Sequence, residues 1–145
     1  MPTRSARTRW NGGLQDGSGT VELASSGVGS YPVSFPRRAA DEAEGVTSPE
    51  ELIAAAHSSC YAMDLSGQLV RAGGTVESLE VAADVSLGAD PAGGFRITAI
   101  HLTVRGRVGG VDASAFQDAA DAAKTGCPVS KALTGTSISL DAALL

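Results

Sequence analysis

Aromatic residues are scarce in this 145-residue chain, at 4%, so any core must be built from Val, Ile, Leu and Ala. Lysine is nearly absent, with only Lys124 and Lys131. The balance of 11 basic to 16 acidic residues gives a net charge of −5. That argues against a nucleic-acid partner, because neutralising phosphates takes clustered cations. The one basic cluster is Arg4, Arg7 and Arg9. It is interrupted by small polar residues, as on the solvent face of a strand. No apolar run reaches the ~18 residues of a membrane span. The opening MPTRSARTRWNGG has no apolar stretch of the kind a secretory signal carries. The expectation is a cytoplasmic protein with neither a nucleic-acid nor a membrane partner.

Cysteine is also rare, with Cys60 and Cys127 alone. Persistent structural disulfides are rare in a reducing compartment. There is no C-x-x-C, and His57 and His101 are not placed as a ligand pair, so no metal site is expected. No cofactor is expected either. The two cysteines are then either small packed hydrophobes or chemistry, and that choice decides the reading.

What is present suits one folded domain, residues 1–145, with 43% hydrophobic and 19% charged residues. Residues 3–36 read as three short strands, with Asn11-Gly12 as a hairpin signal. The glycines at 17 and 19 lead into a strand rather than a helix, so they are turns and not a phosphate loop. Residues 37–47 are polar and aperiodic, a loop. Ser48, Pro49 and Glu51 form a helix start, with a cap, a first-turn proline and a glutamate three residues on. The helix runs from Glu50 to about Ala72 and is apolar on more than one face, the mark of a buried helix. Val76–Leu87 and Phe95–Val108 alternate around a Pro-Gly turn and form a hairpin. Asp112 caps a helix over Ala113–Lys124. A short helical turn follows Cys127-Pro128, and a strand centred on Ser137–Leu140 closes the chain. The order βββ-α-ββ-α-α-β predicts an α+β fold, an antiparallel sheet with helices on one face.

The local setting of the cysteines favours chemistry. Cys127 is placed at a helix start, where a thiolate is stabilised. Cys60 follows the small-residue run His57-Ser58-Ser59, which leaves room for a ligand. The alternative is that both are packed thiols, a common fate of free cysteine.

Two motifs carry a family resemblance. Thr47-Ser48-Pro49-Glu50-Glu51-Leu52-Ile53-Ala54-Ala55-Ala56-His57-Ser58-Ser59-Cys60 resembles the central-helix motif of the OsmC/Ohr peroxidases. Gly126-Cys127-Pro128-Val129-Ser130-Lys131-Ala132-Leu133 resembles that family's second-cysteine motif. The resemblance spans essentially the whole chain. The Val129-Ser130 pair and the long loop before the helix look more like the OsmC branch than the Ohr branch. The resemblance implies an OsmC-like fold with a long central helix in an intertwined homodimer. It implies a peroxidase for organic hydroperoxides and, more weakly, hydrogen peroxide. Cys60 would be the peroxidatic residue and Cys127 the resolving one. A dithiol, typically a lipoyl group, would reduce their disulfide.

A thiol inside a helix gains little from the helix dipole and needs a cation to ionise. The family supplies an arginine from the loop before the helix. Phe35-Pro36-Arg37-Arg38 offers two, and the family pattern favours Arg38, with Arg37 as the alternative. Glu50 matches the family glutamate. Beside a thiolate it would raise the cysteine pKa, so it makes sense as the group that orients the arginine fork. Ten residues of helix separate Glu50 from Cys60 by about 15 Å, so Glu50 cannot easily touch the thiol of its own helix. Two such helices packed antiparallel across a dimer would solve this. His57 reads as a packed helix histidine. Asp64 is a departure from the family pattern: it would face a polar gap or pair with Arg71, and if it faces Cys60 it would raise the thiol pKa. Leu52, Ile53, Tyr61, Met63 and the Phe35 region are the expected apolar lining. The competing readings are a redox-sensing or binding module that uses the same cysteines without turnover, and a structural domain with inert thiols.

Overall fold

The computed structural model describes residues 1–145. Ten elements follow one another: β1 (Arg7–Asn11), β2 (Ser18–Glu22), β3 (Ser30–Val33), α1 (Phe35–Arg38), α2 (Pro49–Arg71), β4 (Thr75–Ala89), β5 (Phe95–Gly109), α3 (Ala113–Gly126), α4 (Pro128–Ala132) and β6 (Ser137–Leu144). They form two compact units, Met1–Leu52 and Ile53–Leu145.

The first unit is a three-stranded antiparallel sheet in the order β1-β2-β3. Its register sets Thr8 opposite Val21 and Tyr31, and Trp10 opposite Gly19 and Val33, on one face. Arg7 and Arg9 alternate onto the other face. There Arg7 pairs with Glu22 at 2.8 Å, an exposed ion pair that adds little stability. The β1–β2 hairpin is present, but its loop spans 12–17 rather than a two-residue turn. Gly17 must be glycine, since a Cβ there would sit 2.2 Å from the Gly13 carbonyl oxygen.

Residues 35–38 are a short helix, not the end of a strand and the start of a loop. Ser34 is its extended N-cap, and its hydroxyl accepts from the Arg37 N–H at 3.4 Å. Pro36 fits the first turn.

Helix α2 starts as its sequence demands. Ser48 Oγ accepts from the Glu51 N–H at 3.1 Å, and the Glu51 carboxylate accepts from the Thr47 hydroxyl. It ends at Gly73, whose φ of 88° is open to glycine. There the Gly74 N–H reaches the Leu69 carbonyl at 2.9 Å, a C-terminal closure.

The second unit holds a sheet in the order β4-β5-β6. β4 and β5 are the expected antiparallel hairpin. β6 pairs with β5 in parallel, so the sheet is mixed rather than wholly antiparallel. The reason is the connection. α3 and α4 lie between β5 and β6, and a crossover of that length is what a parallel neighbour needs. The core gathers Tyr61, Leu65 and Leu69 of α2, Ile100, Leu102 and Val104 of β5, and Phe116, Ala119, Ala120 and Ala123 of α3. Tyr61 is wholly buried, and its hydroxyl donates to the Ala120 carbonyl at 2.8 Å. No helix is long and apolar enough to cross a membrane.

Phe116 is the one large aromatic ring of α3 in this core. It lies over Gly106 of β5, where an added Cβ would meet its Cε2 at 2.7 Å. Phe116→Ala is expected to cost about 3–5 kcal/mol, read as a lower denaturant midpoint. Gly106→Ala should also destabilise. In the Phe116→Ala background it should cost clearly less, because the clashing ring is gone.

Candidate active site

The predicted site residues form two constellations, one in each unit. In the first unit, Arg38 leaves the end of α1 and meets Glu50 in the first turn of α2. Arg38 Nε donates to both carboxylate oxygens, at 3.0 and 3.1 Å, and Nη2 donates to Oε1 at 2.7 Å. The Glu50 side chain is only 10% exposed. A nearly buried carboxylate needs such a partner, and the planar fork of arginine supplies it. Arg37 turns elsewhere, to Glu44 at 2.9 Å. Arg38 rather than Arg37 is therefore the partner of Glu50. Beside this pair lies a cleft of about 360 Å³, lined mainly by Trp10, Leu14, Val21, Val33, Phe35 and Leu52, with Arg38 in its wall. The alternation of Thr8 and Trp10 along β1 was the signal for this apolar face.

In the second unit, Cys60 of α2 and Cys127 come together as free thiols. Cys60 is half-buried and Cys127 fully buried. The two thiols lie close enough to interact, and the Val129 N–H favours the Cys60 thiolate. Burial pushes the Cys60 thiol up from its ordinary pKa. Contact with Cys127 and the charge of Asp64 push the same way, and the Val129 N–H pulls it down. The net direction is upward, so these neighbours leave less thiolate at neutral pH than a free cysteine has.

Cys127 closes α3 and opens α4. Its Sγ accepts from the Ser130 N–H at 3.3 Å and lies 3.1 Å from Ser130 Oγ. α4 has only five residues, so these direct contacts at the sulfur matter more than a helix dipole. Ser130 Oγ is in turn 2.7 Å from His57 Nε2. His57 is fully buried, and burial pushes its imidazole down from the ordinary value. It is packed, as expected, but it also belongs to a polar chain that ends at Cys127. Its partner lies 73 residues away, a pairing no local signal announces.

Of the alternatives for Asp64, the structure shows the upward push on Cys60 and not a pair with Arg71. Asp64 accepts from Gln68 Nε2 at 3.3 Å and lies beside Gly126. Tyr61 is a core residue, not an apolar lining, and Ile53 packs against the same core. Met63 is 75% exposed. Phe35 and Leu52 do line the cleft with Arg38. No group of three or more His, Cys, Asp or Glu side chains is placed to hold a metal.

A mixed α+β fold bearing two adjoining free thiols, one from a central helix and one from a helix junction, defines a thiol-redox class of protein. Comparison with known proteins gives the family. The model for OsmC-like proteins matches residues 42–142. The chain is 43% identical over 130 residues to Peroxiredoxin OsmC of Escherichia coli (strain K12), covering 90% of this chain and 89% of that protein. An organic hydroperoxide resistance protein from Elizabethkingia anophelis aligns with a TM-score of 0.79 at 26% identity, over 100% of this chain and 98% of that one. The organic hydroperoxide resistance protein OhrB of Bacillus subtilis gives 0.74 at 26% identity, over 95% and 97%. The chain belongs to the OsmC-like protein family. The relatives named for OsmC bear out the branch read from the motifs.

Asp64 yields a direct test. In a Cys127→Ser background, where a single thiol reports, Asp64→Asn should move the midpoint of Cys60 alkylation by iodoacetamide to lower pH. Removing a negative charge near a thiol favours its thiolate. A midpoint that stays put or rises would mean that the carboxylate does not act on Cys60.

Proposed function

We propose that this protein is a thiol-dependent peroxidase that reduces organic hydroperoxides, with Cys60 as the attacking residue and Cys127 as the resolving one. The observation that carries the reading is the contact between two free thiols borne on the two family motifs. The Cys60 thiolate attacks the distal peroxide oxygen, the O–O bond breaks, Cys60 becomes a sulfenic acid, and the departing alkoxide takes up the proton the thiol had released and leaves as an alcohol. Cys127 then attacks that sulfur, the S–O bond breaks, and water leaves with the disulfide formed. A dithiol, such as a lipoyl group, restores both thiols. No cofactor enters this cycle, and free thiols of this kind suit a reducing cytoplasm.

Arg38, held flat by Glu50, is the cation this chemistry calls for. It would stabilise the Cys60 thiolate and the charge that grows on the leaving alkoxide. Its place in the wall of an apolar cleft suits a hydroperoxide with an alkyl tail, since burial of each methylene contributes about 0.8 kcal/mol. The about 15 Å of helix between Glu50 and Cys60 supports a homodimer. In it, the Arg38–Glu50 pair of one protomer would serve the Cys60 of its partner. The exposed Met63 and Val70 of α2 fit a helix face that a second copy covers.

A second reading, a redox sensor without turnover, draws on the upward push on the Cys60 thiol. The two readings separate in one assay. Reduced protein is mixed with cumene hydroperoxide or hydrogen peroxide, with dihydrolipoamide as reductant. The peroxidase reading expects turnover that prefers the organic peroxide and vanishes in Cys60→Ser. Thiol oxidation without turnover would favour the sensor.

The shared site has its own test. Arg38→Met should lower kcat/KM for cumene hydroperoxide on the order of 100-fold, the usual scale for losing a charge-stabilising donor. Mixed dimers of Arg38→Met and Cys60→Ser subunits should regain activity, because one site then combines an intact Arg38 with an intact Cys60. Mixed dimers as inactive as their parents would place both residues of a working site in one protomer.

A further inference from the structure

His57 is polar, central to α2 and fully buried, yet the peroxidase cycle as described does not use it. Its Nδ1 is buried with no hydrogen-bond partner. Burial disfavours the charged imidazolium, so the ring carries one proton. An orphaned buried N–H is rarer than an under-satisfied buried acceptor. That places the proton on Nε2 and leaves Nδ1 as the bare lone pair. The direction of the chain follows. His57 Nε2–H donates to Ser130 Oγ across 2.7 Å. The Ser130 hydroxyl, its oxygen so occupied, turns its own hydrogen to Cys127 Sγ across 3.1 Å. The Ser130 backbone N–H donates to the same sulfur at 3.3 Å. Two donors thus converge on Cys127, and one of them is oriented by the histidine.

We propose that His57, acting through Ser130, is a positioning residue for the resolving step, holding Cys127 as an acceptor sulfur aimed at an oxidised Cys60. The proposal rests on the peroxidase reading above and deepens it. In that step the Cys127 thiol gives up its proton, its sulfur forms the S–S bond, and the Cys60 S–O bond breaks. The departing hydroxide takes up a proton and leaves as water. Cys127 is oxidised and Cys60 is reduced from the sulfenic level, so no outside oxidant or reductant is needed. Hydrogen bonds donated to Cys127 stabilise the negative sulfur that must attack. Their loss leaves the first step, peroxide attack by Cys60, without a direct cause to change. The sulfenic acid then waits longer, and a waiting sulfenic acid is open to a second peroxide that takes it to sulfinic acid.

The test follows the two steps separately in the full-length protein. Peroxide consumption is read in a single turnover with one equivalent of cumene hydroperoxide. Disulfide formation is read by non-reducing mass analysis, with dimedone trapping of the Cys60 sulfenic acid. Ser130→Ala removes the hydroxyl and keeps the backbone N–H. His57→Leu removes the ring donor. His57→Gln returns an N–H near the Nε2 position. The expected result is peroxide consumption within about twofold of the unaltered protein, and disulfide formation slowed by about tenfold in Ser130→Ala and in His57→Leu. Excess peroxide should then drive both to Cys60 sulfinic acid, and His57→Gln should recover part of the loss. Ser130→Ala is a small change at a well-packed position, so it decides the question if His57→Leu does not fold. Disulfide formation at the unaltered rate in Ser130→Ala would overturn the proposal, as would an equal slowing of both steps. An unaltered protein that forms neither sulfenic acid nor disulfide would instead overturn the peroxidase reading itself.

Discussion

Much of this structure depends on one stripe of α2 that water must not reach. His57, Tyr61, Leu65 and Leu69 recur every four residues, and all four are fully buried. That spacing lays them along one side of a helix. The three hydrophobic members meet β5 and α3 in a single core. Two of the four carry polar atoms, and a buried polar atom without a partner is costly. Tyr61 discharges its hydroxyl onto the Ala120 carbonyl. His57 needs something comparable and finds it in Ser130. The burial of the helix therefore dictates where Ser130 must stand, and Ser130 sets the surroundings of Cys127. Core packing and cysteine chemistry are here two results of the same constraint.

The mixed sheet is what allows this. Had β6 followed β5 through a tight turn, no helix could have intervened. The parallel pairing requires a long crossover, and α3 and α4 are that crossover. Cys127 sits at their junction, as the last cap of one helix and the first of the next. A junction between two helices is a place where the backbone leaves helical geometry. The Cys127 ψ of 139° is extended rather than helical, so the chain breaks between α3 and α4 at this residue. Pro128 holds the restart, because it suits a first turn and cannot extend the helix before it.

How much of this was legible in the sequence follows from the range of each interaction. Features set within a few residues could be read: the Ser48-Pro49-Glu51 helix start, the Asp112 cap, the β4–β5 hairpin and the crowding of small residues before Cys60. The family motifs, each local, carried the cysteine pair and the choice of Arg38. Features set by distant partners could not be read. The direction of β6 is a property of its pairing, not of Ser137–Leu140. The short helix at Phe35–Arg38 was hidden because four residues are too few to show a period. His57 read as a packed histidine, and it is buried, but its partner Ser130 could not be read, because it lies 73 residues away.

The electrostatics at Cys60 run against its chemistry in a way that locates what is missing. Burial, the second thiol and Asp64 all oppose the thiolate, and a single backbone N–H favours it. A nucleophilic thiol must still ionise near neutral pH. Opposing a buried position and a nearby carboxylate takes a full positive charge at close range. The structure has built such a charge with care elsewhere. Arg38 is fixed by three hydrogen bonds to a carboxylate that is itself almost buried. Stability alone is a weak reason for such a pair, since buried pairs often give little net stability. The geometry is what a prepositioned guanidinium needs if its remaining N–H groups are to meet an anion without reorganising. An upward-pushed thiol also has a use. A thiol pushed up in this way carries less thiolate, the form that oxidants attack. On the shared-site proposal, it would gain reactivity only where an Arg38 fork and a peroxide are both in place.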